Sequence, residues 1–289
     1  MELFVQLFFI GLAEGSAYAL IAMTFGLIVY VTRVFHLAHG AVLAIAAYSI
    51  HYFTRFLGFP VWASVLFTFP ISALFGTAME LGIYRPLERK FASPLILLLA
   101  SLATLFGIPG VLGIFFSTDA QVLLESPMKP LTIGKMVFKG AHLGMLTLWI
   151  FIGLLLFYLR RSQMGKTMRA VADRPEIAEI VGISTSKARL MATIIGSSLL
   201  TLPAFLIYWD SGITPGMGFM GILFASAGAI LGGMGSILGA AFGGLTIGML
   251  VNLGVVFIST RWQAGIAFSV LVLILLLRPE GIFGTRVKW

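Results

Sequence analysis

The chain has no cysteine among its 289 residues, so neither a disulfide framework nor a thiolate metal site is available to it. It also has little charge. Asp, Glu, Lys and Arg make up 10% of the residues against 59% hydrophobic, and mean hydropathy is +1.04. That balance excludes an ordinary soluble domain. Catalytic signatures are missing as well: there is no Gly-x-Ser-x-Gly elbow and no His-Glu-x-x-His. The glycine-rich run 228–248 lacks the Lys-Ser/Thr of a phosphate-binding loop, which leaves close helix packing as its reading. A net charge of +8 in a soluble protein would suggest nucleic acid. Between hydrophobic spans it records the excess of Lys and Arg in cytoplasmic loops, so the expected surroundings are membrane lipid and no nucleic acid.

What is there is a series of apolar runs. A spanning helix needs roughly 20 apolar residues to cross a hydrocarbon core about 30 Å thick. Nine segments are candidates: 3–31, 40–56, 60–84, 94–116, 143–159, 190–208, 219–231, 237–257 and 263–277. Together they predict an all-α, polytopic transmembrane helix bundle of about nine segments (eight to ten), in a single domain over 1–289. The first run is too long for a simple span and carries Glu14-Gly15-Ser16 near its middle, where a flexible break is expected. The run 219–231 is short, and 228–244 is glycine-dense enough for a bend or re-entrant piece, which membranes tolerate where protein or water covers it. Glu2 and the lack of a basic start do not fit a cleavable signal peptide, so the first run is expected to stay as a span. Basic residues mark three loops: Arg85, Arg89 and Lys90; residues 160–189; and Arg278, Arg286 and Lys288. Placing all three inside puts the N-terminus outside, the C-terminus in the cytoplasm and the connection 119–139 outside.

The loop 160–189 holds seven of the 19 basic residues and three of the 11 acids, an island in an apolar chain. Within it Asp173-Arg174-Pro175-Glu176 has the spacing of a capping box, with Pro175 suited to the first turn. Ile177, Ile180 and Val181 then share one helical face, and Gly182 supplies a left-handed stop. The spacing predicts a helix of about eight residues within 173–182, roughly 12 Å long, followed by Ser184 and Ser186 as caps of the next span. A solvated connector lying on the headgroups has no need of three large aliphatics on one side. Helix-in-groove docking of a partner does.

These residues also carry a family resemblance. Residues 11–20 (Gly-Leu-Ala-Glu-Gly-Ser-Ala-Tyr-Ala-Leu), Arg33-Val34-Phe35-His36-Leu37-Ala38-His39-Gly40, Tyr84-Arg85-Pro86-Leu87, Arg169-Ala170-Val171-Ala172-Asp173, 228–236 and 277–284 occur in one order along nearly the whole chain. In this the chain resembles the permeases of the high-affinity branched-chain amino-acid ABC transporters, whose relatives include urea and amide permeases. The resemblance implies a multi-pass permease of the bacterial inner membrane that catalyses no covalent chemistry and carries no cofactor of its own. It implies a second homologous permease subunit, two ATP-binding cassette ATPases that hold ATP and Mg, and a periplasmic substrate-binding protein. ATPase coupling then falls to Asp173, Arg174, Glu176, Ile177, Ile180, Val181 and Gly182. Two positions depart from the pattern: His36 stands where Asn is usual, and Ala41-Val42-Leu43 where a polar or acidic residue is usual. The substrate therefore stays open between branched-chain amino acids and a urea, short amide or other small organic solute. A gradient-driven transporter or channel is a further alternative, but no clear internal repeat supports it.

Ionisable residues within a span are costly and mark function by default. Glu14, Ser16, His36, His39 and Asn252 are the candidate substrate-pathway residues. Glu14 can instead serve as a structural hydrogen-bond acceptor, His36 and His39 as loop residues at headgroup level, and Asn252 as interhelical glue. Two His without a nearby carboxylate form a poor ligand set, so no metal site is expected there.

Overall fold

The computed structural model describes residues 2–123, 130–133, 136–257, 259–277 and 281–283. The basic tail residues Arg278, Arg286 and Lys288, and with them 278–280 and 284 of the last family motif, lie outside the described residues. All nine apolar runs are helical. They correspond to α1 (Glu2–Thr32), α2 (His39–Arg55), α3 (Val61–Met79), α5 (Pro94–Phe116), α6 (Gly140–Arg161), the pair α9 (Thr185–Leu199) and α10 (Thr201–Ser211), α11 (Met217–Gly232), α12 (Ile237–Gly254) and α13 (Gln263–Leu277). A π-helical turn, Glu80–Tyr84, joins α3 to the short α4 (Arg85–Arg89), while α7 (Gln163–Asp173) and α8 (Pro175–Ile180) lie between α6 and α9. Among the described residues, six helical stretches are long and apolar enough to cross a membrane, and α11 is among the shorter apolar helices. The one sheet described is a two-stranded antiparallel ribbon, β1 (Leu131–Ile133) and β2 (Met136–Phe138), with Leu131 opposite Phe138.

α1 occupies the centre, packed against α6, α9, α11 and α12. The break expected at Glu14-Gly15-Ser16 is absent: α1 runs unbroken through it. Gly15 serves packing instead, since a Cβ there would stand 2.8 Å from the Leu245 carbonyl oxygen on α12. The same logic governs the rest of this core. A Cβ on Gly228 would lie 2.5 Å from Gly244 Cα, and one on Gly244 would lie 2.6 Å from the Tyr18 carbonyl oxygen. Lipid tails are as apolar as Leu, so helices in a membrane gain stability by close packing between small residues rather than by hiding apolar surface. The 228–248 run is thus a packing surface, as its sequence suggests.

Chain breaks have local causes. α9 and α10 part at Leu200, where Pro203 cannot donate to the i−4 carbonyl of Leu199. α11 ends at Gly232, followed by Gly233 with φ +98°. Its last carbonyls are satisfied from far along the chain: Ile282 N–H donates to Leu231 O (2.8 Å) and Phe283 N–H to Gly232 O (3.1 Å). On the periphery α3 and α5 turn large apolar side chains outward, with Leu66 67%, Leu74 69% and Ile114 82% exposed, as expected of surfaces that face lipid.

Two opposite sets of loops are tied together. At one end, Gln121 pairs with Ile213 through mutual backbone bonds, and the Lys139 ammonium donates to the Asp210 carbonyl. At the other, Arg33 donates to the carbonyl of Ala172 (3.1 Å), and Arg85 to that of Ser186 (2.6 Å). The Arg85–Lys90 loop thus gathers at one end with the 160–189 island.

The glycine core yields a direct test. Gly228→Val should lower the thermal unfolding midpoint in detergent by an amount equivalent to about 1–3 kcal/mol, the usual cost of overpacking. Gly153→Ala in α6, where an added Cβ meets open space, should be neutral or slightly stabilising. Equal tolerance of both substitutions would refute the close α11–α12 packing.

Candidate functional site

The island folds differently from its expected capping box. The Asp173 carboxylate does not cap the next helix; it closes α7 and accepts a hydrogen bond from the Tyr30 hydroxyl of α1 (3.0 Å). Arg174 is the N-cap of α8, in extended backbone with no side-chain cap bond, so α8 spans six residues rather than about eight. The competing partner on α1, distant in sequence, explains the difference. The apolar stripe is present: Ile177 is 48%, Ile180 84% and Val181 67% exposed, while Ala178 faces inward and Glu176 lies exposed in the first turn. Gly182 takes φ +84°, as a left-handed stop requires. Ser184 caps α9 by accepting from Lys187 N–H (3.3 Å).

Behind α8 stands an ion network that no local spacing announced. Arg189 on α9 grips Glu88 of α4 with two bonds of 2.7 and 2.8 Å, and its Nε lies 3.4 Å from Glu80 in the π turn. Arg85 reaches the same Glu80 oxygen at 3.2 Å. Glu80 is almost fully buried, so its charge is held by two guanidinium groups.

The pathway candidates divide into two groups. Glu14 and Asn252 meet across the α1–α12 contact, with Asn252 Nδ2 donating to Glu14 Oε2 at 2.9 Å and to the Gly248 carbonyl at 3.0 Å. Glu14 lines a cavity of about 380 Å³ that also takes in Asp210 and Tyr18. Ser16, on the same helix, donates to the Leu12 carbonyl and accepts from Trp149 Nε1 (3.0 Å), an interhelical contact with α6. His36 and His39 form the second group, both fully buried with ring centroids 5.6 Å apart. His36 Nδ1 is hydrogen-bonded with the Tyr84 hydroxyl (2.6 Å), and His39 Nε2 with the Thr24 hydroxyl (3.0 Å). The Ala38 N–H between them donates to Ser101 Oγ (2.8 Å).

Asp210 in the cavity lining, and the two residues that contact it, were not singled out from sequence. Asp210 Oδ1 lies 3.1 Å from Lys139 Nζ and 3.2 Å from His142 Nε2. Glu14, His142 and Asp210 each bring a ligand atom within 4.8 Å of the others, a spacing that suits a small cation. They come from α1, α6 and α10, so no motif spacing could have joined them. A sequence signal did exist at Asp210, an acid at the end of an apolar run.

The His36–Tyr84 contact sets up a double-variant cycle. His36→Asn and Tyr84→Phe should each lower stability by about 0.5–2 kcal/mol, read as the unfolding midpoint of the purified protein. The pair together should cost less than the sum of the two, because both remove one bond. Additive losses would show that the bond contributes nothing.

Comparison with known proteins follows this geometry. The family model described as "Branched-chain amino acid transport system / permease component" matches residues 7–277. The chain is 30% identical to the high-affinity branched-chain amino acid transport system permease protein BraD of Pseudomonas aeruginosa, over 95% of this chain and 94% of that protein. It is 29% identical to the corresponding permease protein LivH of Escherichia coli, over 97% and 96%. Among solved structures, a chain of PsaBC from Streptococcus pneumoniae in complex with Fab superposes with a TM-score of 0.50 at 14% identity, covering 94% of this chain and 91% of that one, which shows the shared fold. A chain matched along almost its whole length, with its apolar runs folded as one helix bundle, belongs to the family of branched-chain amino acid transport system permease components: it is a multi-pass membrane permease rather than a catalytic enzyme.

Proposed function

We propose that this chain is the transmembrane subunit of an ATP-binding cassette importer that passes branched-chain amino acids from a periplasmic binding protein to the cytoplasm. The observation that carries this reading is the near-complete match to permeases whose names specify that substrate class. The whole chain acts as one permease domain in the bacterial inner membrane, beside a second homologous permease subunit. Two ATPase subunits bind ATP and Mg and dock on α8, whose exposed Ile177, Ile180 and Val181 suit a groove on a partner. Glu14 and Asn252 border the pathway, while His36, His39 and Ser16 hold the surrounding helices in place through the bonds described above.

The central test is ATP-dependent uptake of labelled isoleucine into liposomes holding the assembled transporter and its binding protein. Uptake should require ATP and the binding protein; uptake that ignores both would refute an ATP-driven importer. In the same system Ile180→Asp should place an unpaired charge in the ATPase contact, at a cost of several kcal/mol. Transport should then be lost while the variant still inserts and folds. Full substrate-stimulated ATPase activity in Ile180→Asp would rule out α8 as the main docking element.

The concentration of Lys and Arg at the α7–α9 end supports placing that end in the cytoplasm. Ser184 and Ser211 are exposed at opposite ends of the α9–α10 segment, and the chain has no cysteine of its own. In intact cells, Ser211→Cys should react with an impermeant maleimide and Ser184→Cys should not. The reverse pattern would invert the orientation.

A further inference from the structure

The lining of the cavity beside Glu14 joins two kinds of side chain: the carboxylates of Glu14 and Asp210, and the apolar groups of Met145, Ile207, Met217 and Met220. Its volume of about 380 Å³ lies within the range of roughly 300–1,000 Å³ usual for small-molecule sites. It lies at the end of the molecule where Gln121 pairs with Ile213 and Lys139 meets Asp210, opposite α8. That is the end proposed above to face the binding protein.

We infer that this cavity is a relay site for a zwitterionic aliphatic amino acid, with Glu14 and Asp210 taking its ammonium group and the apolar groups of Met145, Ile207, Met217 and Met220 taking its side chain. The inference rests on the importer reading of the preceding subsection and assigns to it a site. The charges favour a zwitterion. Two carboxylates, Glu14 and Asp210, share one cluster with the Lys139 ammonium, 3.1 Å from Asp210. The ligand's ammonium adds a second positive charge beside the two carboxylates, and Lys139, next to Asp210, is the cation nearest to its carboxylate. A divalent ion held by Glu14, His142 and Asp210 would instead face Lys139 directly, and like charges at that distance repel. The apolar lining supplies what a metal site has no use for. Met side chains are flexible and adapt to differently branched aliphatic groups, which fits a site that accepts several related side chains.

Glu14 also admits a purely structural role, as the acceptor for Asn252, and one substitution separates the two. Glu14→Gln keeps an acceptor oxygen for Asn252 and removes the charge. In liposomes with the assembled transporter and saturating binding protein, preloaded with isoleucine, valine or alanine, Glu14→Gln should lower transport of all three about tenfold or more, with partial recovery in Glu14→Asp. Met217→Phe, which narrows the apolar lining, should lower isoleucine transport about tenfold relative to alanine. The binding protein is the same throughout, so a changed ratio arises in the permease. Normal transport by Glu14→Gln, or an unchanged isoleucine-to-alanine ratio in Met217→Phe, would overturn the relay site while leaving the importer intact. A wild-type requirement for added Mn²⁺ or Zn²⁺, abolished by chelation, would overturn it in favour of a metal site. A wild-type transporter that moves no amino acid would overturn the importer reading along with it.

Discussion

Backbone contact between α1, α11 and α12 is the constraint on which the rest of the structure depends. Gly15, Gly228, Gly244 and Gly248 let three helices approach until main-chain atoms touch. Dispersion between well-packed atoms then replaces the hydrophobic gain that lipid removes. Because α1 is locked on this side, its other residues are fixed in azimuth. Glu14 reaches Asn252 and the cavity, Ser16 reaches Trp149, Thr24 reaches His39, and Tyr30 reaches Asp173. One helix thereby carries a polar contact at nearly every second turn, each to a different partner element. The cost of polar groups in a membrane protein is met by pairing them across helices.

A second constraint is electrostatic and sits at the basic end. Glu80 is buried in a π turn, a helical form frequent at functional sites, and is held by Arg85 and Arg189. Removing either guanidinium leaves a buried carboxylate short of a partner, which makes the arrangement hard to break in part. The network joins α4 to α9 one turn beyond the Ser184 cap, so α8 hangs from a rigid frame rather than from a free loop.

The apolar runs were legible because length and hydropathy alone decide what spans a bilayer, and every run from 3–31 to 263–277 contains helix. The stripe Ile177, Ile180, Val181 and the stop at Gly182 were legible for the same local reason, since helical spacing and left-handed backbone are properties of neighbours in sequence. Contacts between distant segments were not. Asp173 has the spacing of a cap, yet the Tyr30 hydroxyl, 143 residues away, captured it. Gly15 looked like a break because nothing in its own window shows that α12 lies against it. The pair His36 and His39 was visible, but the partners Tyr84 and Thr24, which each hold one ring nitrogen, were not. Asp210, His142 and Lys139 were missed because they meet only where α10 packs against the start of α6, about 70 residues away in sequence.

One segment connects the two ends of the molecule. Thr185–Ser211 begins beside α8, where Arg189 fixes it to Glu88, and ends at Asp210 in the cavity. It is not a uniform rod. The interruption at Leu200, imposed by Pro203, divides it into α9, tied to the basic end, and α10, tied to the cavity end through Asp210 and the Tyr208–His51 bond of 2.7 Å. A rigid helix would transmit a push at α8 as a translation of Asp210. A helix interrupted midway converts part of that push into a change of angle, because a proline site is where a helix bends most easily. The buried Ser72–Thr201 contact of 3.1 Å anchors α3 just beyond the interruption and leaves the two halves as levers on either side. With α8 as the proposed docking element, a displacement there would reach the cavity as reorientation of α10. Such a reorientation would move Asp210 relative to Glu14 on α1, which is what the proposed relay site would need in order to bind and then release a charged group.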